Sequence, residues 1–197
     1  MKDRKATLIR VVIIAGVTML AYFLFFRGGA TWQFEAVQDG VLYRTSARTA
    51  DEFVAASLNV VLHGLVATGT DEQLRGEVLV AAQNYGHKNG ARVMTLSIKA
   101  EENPSAEHVK RFIGYVGTAR RQPVLLVDSD GRIAGMLAAA YRLEVLKMPL
   151  SEVKDHAVLK DAPPETVAKV QRFAEQYAEQ LSRQSAPALP LGPALPE

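Results

Sequence analysis

Cysteine is absent from all 197 residues. That excludes disulfides, thiolate metal centres and a cysteine nucleophile. It does not fix the compartment, because a chain without cysteine survives in either redox environment. A surplus of one charge sign is missing too: 23 Lys and Arg face 21 Asp and Glu, for a formal net charge of +2. Much of the positive excess sits in the first ten residues, so no basic face spreads over a domain and no nucleic-acid partner is expected. Histidine is scarce. His63, His87, His108 and His156 are scattered, and no pair has metal-ligand spacing. Each reads as an ordinary surface or partly buried residue. Asp128-x-Asp130 lacks the other positions of a calcium loop. Neither a metal nor a cofactor is expected, and there is no internal repeat.

One long hydrophobic run is present. From Leu8 to Phe26 the only charged side chain is Arg10, which can snorkel to headgroups. The uninterrupted part, Val11 to Phe26, is about 24 Å long as a helix at ~1.5 Å per residue. Leu8, Ile9 and Arg10 bring it near the ~30 Å thickness of a bilayer core. Lys2, Arg4, Lys5 and Arg10 precede it and only Arg27 follows closely. The positive-inside bias places the N-terminus in the cytoplasm and the rest on the extracytoplasmic side. Trp32, the single tryptophan, reads as an interfacial anchor. The alternative is an exported protein cleaved at Gly28-Gly29-Ala30. The run is long for a signal peptide, and Tyr22, Phe23, Phe25 and Phe26 fill its end, so an uncleaved anchor is expected.

The remainder alternates strand and helix patterns. Residues 1–27 form the anchor, 28–33 a linker, 34–160 an α/β domain, 161–184 a C-terminal helix and 185–197 a Pro/Ala-rich tail expected to be disordered. Phe34–Val37 and Val41–Arg44 form a hairpin around Gln38-Asp39-Gly40. Thr49-Ala50-Asp51-Glu52-Phe53 starts a helix, capped by Thr49 or Ser46. Asn59–Leu65 reads as a buried strand. Asp71–Tyr85 reads as a helix capped by Thr70, with Leu74, Val78, Ala81, Ala82 and Tyr85 on one face. A strand follows over Arg92–Ile98, then a helix from Pro104 to about Ala119. Leu150–Leu159 and Pro164–Gln184 are further helices. The expectation is an α/β fold with a mostly parallel central sheet flanked by helices, preceded by one transmembrane helix.

The stretch richest in chemistry is Pro123 to Met136. A buried strand ends in Asp128-Ser129-Asp130-Gly131, and a helix continues from Arg132 through Leu143. Such a connection aims backbone N–H groups at one spot at the carboxyl edge of a sheet. The ligand-loop candidates are Asp128, Ser129, Asp130, Gly131, Arg132, Ile133, Ala134 and Gly135.

Several pieces carry a resemblance in order and spacing. They are Phe34-x-x-Val37-x-Asp39-Gly40-Val41-Leu42-Tyr43-Arg44, Leu58 to Leu62, Ile98 with Pro104-Ser105-x-Glu107-x-Val109, and Pro123-Val124-Leu125-Leu126 leading to Gly131 and Ala140-Tyr141-Arg142. Over about Phe34 to His156 the chain resembles the dual-specificity and tyrosine phosphatases, in particular small bacterial members. That family's signature is a histidine, a cysteine, five residues and an arginine, with a glycine midway. Anchored on Gly131, Val127 takes the histidine position, Asp128 the cysteine position and Ala134 the arginine position. Gly135 takes the following hydroxyl position. The resemblance therefore implies a phosphatase-like domain without its thiolate and its phosphate-clamping guanidinium, acting as a binding or scaffolding module. No catalytic residue and no phosphorylated ligand is expected, while a protein partner is. Arg132 is two positions from the expected arginine, about 200° around a helix, and should point out of the loop. Glu101 and Glu102 lie where the family's general acid would be sought and read as solvated charges. Asp128 is expected to stand in for the anion, accepting N–H groups of residues 129–134.

Two rival resemblances remain. Asp128-x-Asp130-Gly131 after an apolar strand is similar to the first motif of the haloacid-dehalogenase superfamily, which would make Asp128 a Mg²⁺-dependent nucleophile and Asp130 its acid/base. Val93-Met94-Thr95 with Pro123 to Gly135 resembles one copy of a cystathionine-synthase-type nucleotide module. No downstream acidic pair supports the first, and no second copy supports the other. The plain alternative is an α/β connection with an aspartate cap.

Overall fold

Residues 124–127 pack alternately to two sides: Val124 and Leu126 join one apolar cluster, Leu125 and Val127 another. A strand buried on both faces belongs in the middle of a sheet. The computed structural model describes residues 34–73, 76–99, 101–119, 122–156 and 162–185. It contains β1 (Glu35–Gln38), β2 (Leu42–Ser46), β3 (Gly64–Gly69), β4 (Arg92–Ser97) and β5 (Val124–Asp128), arranged β1-β2-β5-β3-β4. β1 is antiparallel to β2, and every other pairing is parallel. On one face lie α1 (Ala50–Ser57) and α2 (Glu77–Asn89). On the other lie α3 (Ala106–Thr118), α4 (Arg132–Glu144), α5 (Leu150–Asp155) and α6 (Pro164–Ser185). The sheet is mixed, with the expected hairpin as its antiparallel edge.

Local chemistry explains most boundaries. Thr49 Oγ1 accepts the Glu52 N–H at 3.2 Å and starts α1. Ser105 and His108 exchange side chain-to-backbone bonds and start α3. Two expectations are corrected. The strand read over 59–65 lies instead at 64–69. Asn59 terminates α1 through bonds to Ala56 O, and Val61 is left exposed. Pairing with β5 sets β3, Gly64 opposite Val124, and all six of its residues are buried. The helix read from Asp71 starts at Glu77. Thr70 does accept the Gln73 N–H at 3.2 Å, and Gln73 Oε1 accepts the Thr70 N–H at 2.8 Å. This reciprocal pair closes one turn, and α2 begins anew after Gly76. Ala82 is buried as expected and Tyr85 stacks edge-on against Phe53. α5 ends at Asp155 rather than Leu159.

The anchor at 1–27, the linker at 28–33, Leu74 and the tail from 186 lie outside the described residues. Among the described residues, no helix is long and apolar enough to cross a membrane.

Candidate functional site: the β5–α4 loop

α4 is buried from Arg132 through Leu143. Its small residues, Ala134, Gly135 and Ala138 to Ala140, let it pass between the sheet and α6. Burial of that helix forces an accounting of its first N–H groups, which have no intrahelical partner and no water. Asp128 answers it. This carboxylate ends β5, held in register by Ser46 opposite and by the Ala47 N–H on its carbonyl at 2.8 Å. Oδ1 accepts the Gly131 N–H at 2.7 Å and Oδ2 accepts the Ala134 N–H at 2.9 Å. The Ile133 N–H adds to them. Asp130 Oδ1 takes the Arg132 N–H at 2.9 Å, and the Gly135 N–H bonds Gly131 O. The donors from residue 131 to 135 are thus all turned inward. Gly131 makes the turn possible with φ +77°, a conformation that strains any other L-residue.

The N–H bonds expected at the Asp128 carboxylate are present, with the donors narrowed to 131, 133 and 134. Burial is the largest influence on its acidity and, with the neighbouring Asp130 charge, pushes it from the ordinary 3.8 to about 7. The three N–H bonds oppose that rise.

Arg132 reaches across to the β4–α3 loop: it is 9 % exposed, and its Nη1 donates to Glu102 O at 3.1 Å. It helps line a cavity of about 50 Å³ together with Gly69, Gln73, Asp128 and Asp130. Glu101 and Glu102 are exposed as expected, Glu102 pairing with Lys99 at 3.0 Å. The Glu102 backbone nevertheless ties the β4–α3 loop to α4. Ser129 is half-buried. Its hydroxyl accepts from Gln73 Nε2 at 2.8 Å beside a second cavity of about 180 Å³ lined by Ala47, Arg48, Thr68, Glu77 and Leu79 among others. Gln73 and Arg48 carried no sequence signal, since their meeting with Ser129 depends on strand order.

Beneath the loop lies a charge network that spacing could not foretell. Glu35 Oε2 accepts from Arg44 Nη2 at 2.6 Å, and its Oε1 accepts from Arg142 Nη2 at 2.7 Å. Both arginines also donate to His156 O. Arg44 and Arg142 are buried. Burial pulls the Arg44 guanidinium below its usual range, while Glu35 and, more distantly, Asp128 favour its charge. Among the described residues, no group of three His, Asp or Glu could hold a metal ion. Asp128 has both carboxylate oxygens on backbone donors, and Asp130 has its Oδ1 on one.

No protein-family model matches the chain, and no curated protein matches it. Solved structures do. Tk-PTP in its active form is similar with a TM-score of 0.57 at 13% identity, over 75% of this chain and 97% of that one. The core catalytic domain of the PP-IP phosphatase SIW14 from S. cerevisiae, in complex with citrate, gives 0.56 at 15% identity, over 77% and 92%. TpbA of P. aeruginosa in complex with pTyr gives 0.52 at 17% identity, over 78% and 98%. The fold is that of the tyrosine and dual-specificity phosphatases.

Proposed function

We propose that this chain is a membrane-anchored, phosphatase-like binding module that does not turn over phosphoesters. The observation that carries the reading is the inward accounting of the loop N–H groups. In-line phosphoryl transfer in this fold family needs a thiolate nucleophile and a bidentate guanidinium on the phosphoryl oxygens. The chain has no cysteine, position 134 is a methyl group, and a carboxylate occupies the cradle. A phosphate dianion approaching it would find the Asp128 carboxyl in its place and the loop donors spent. TpbA is solved with pTyr, whereas a phosphorylated ligand is not expected to settle here. A protein partner at the membrane surface is the ligand class this reading favours, with residues 8–26 holding the domain there.

Two measurements test it. Phosphotyrosine peptides and p-nitrophenyl phosphate, with and without Mg²⁺, should release no phosphate above background. Sulfate should raise the melting temperature of Asp128→Ala but not that of the unaltered chain. Turnover that Asp128→Asn abolishes would overturn the inactive reading and favour an aspartate nucleophile. Equal sulfate binding by both proteins would show that the cradle is not filled from within.

A further inference from the structure

The two ends of the domain leave from opposite edges of the sheet. Glu35 is opposite Arg44, and Arg44 is opposite Leu126. One step back, Phe34 stands at the level of Val127, next to the rim that carries the loop. Because β1 is antiparallel to β2, the chain before Glu35 arrives from that rim. Phe34 is stacked on Tyr43 at 5.1 Å, which fixes its place. α6 also runs from the rim to the base, so the chain enters at one end and leaves at the other. Near its start, Lys169 interacts electrostatically with Glu101 and Arg132 at the rim. Further along, the Tyr177 hydroxyl bonds Glu144, the last residue of α4, at the base. The chain therefore leaves α6 at the base.

We propose that the rim bearing Asp128 to Gly135 faces the lipid surface, with the base and the C-terminal tail turned to the aqueous phase; this rests on the anchored reading above. Covalent geometry sets the argument. Seven residues separate Phe26 from Phe34, a span of roughly 28 Å when fully drawn out. α4, with 13 residues, makes the rim-to-base height about 20 Å. Turning the base to the membrane would use most of that reach along the flank of the domain. The site then opens onto the bilayer, and its partner is one presented at that surface rather than a freely diffusing protein.

The absence of cysteine makes the test direct. Single cysteines placed at exposed positions, Glu72→Cys and Asn103→Cys at the rim or Leu58→Cys and Gln122→Cys at the base, each label one site of the full chain. The labelled protein is reconstituted in phosphatidylcholine nanodiscs carrying a headgroup-linked energy acceptor. Transfer should be severalfold stronger from both rim labels than from both base labels. Equal transfer, or stronger transfer from the base, overturns the orientation while leaving the anchor intact. If the chain washes off vesicles in alkaline carbonate, the anchor fails and the orientation falls with it.

Discussion

Asp128 is a single side chain with two opposed demands. The buried helix start needs an acceptor, and the buried site resists a charge. Burial prevails over the N–H bonds, raising its acidity constant from 3.8 to about 7. The folded state therefore holds this proton more tightly than the unfolded chain does. Its contribution to stability is fully present below about pH 4, declines as the pH rises, and is lost once the pH passes about 7. Three pH units of difference correspond to about 4 kcal/mol. Asp128→Asn removes the titration but turns one amide donor toward a loop N–H, at a cost of about 1 kcal/mol. Urea unfolding should find the Asn variant more stable than the unaltered chain at pH 8 and no more stable at pH 4. A wild-type stability that instead climbed across that window would mean the N–H bonds outweigh burial.

Elements are tied together by charges and close approaches that no single helix or strand contains. Glu35 on the edge strand neutralises guanidiniums from β2 and α4, and both reach the carbonyl at the end of α5. Glu35→Ala should remove the carboxylate that the two buried guanidiniums share. A loss of about 3 kcal/mol is expected, near the low end for breaking a buried pair because Glu35 is partly exposed. Glu35→Gln should lose less; denaturant midpoints would rank the two. α2 and β4 meet as closely at Gly86, where an added Cβ would stand 2.7 Å from Ala91 O and 2.8 Å from Val93 Cγ2. Gly86→Ala should lower the melting temperature by an amount equivalent to about 1–3 kcal/mol. A neutral result would show that the α2–β4 turn shifts freely.

At the scale of the whole molecule, the mixed sheet with β5 at its centre puts the loop at one edge and sends the two chain ends apart. Joining the strands in this order required crossovers that periodicity does not reveal. The bounds of β3 are hidden in the sequence because all six of its residues are buried, and a strand covered on both faces shows no alternation. The sequence pattern points to an earlier start of α2 because the Thr70–Gln73 pair is a true helix-start signal that closes only one turn. The strand, loop and helix from 124 to 143 were legible, as was the carboxylate that ends the strand. Those features depend on contacts within about six residues, where turn geometry and valence leave few alternatives. Which edge faces Arg132, which carbonyl receives it, and how Glu35 finds Arg142 were settled only by packing. Hydrogen bonds across more than a hundred positions follow from strand order, and strand order is chosen by the burial of the whole core rather than by any local run of residues.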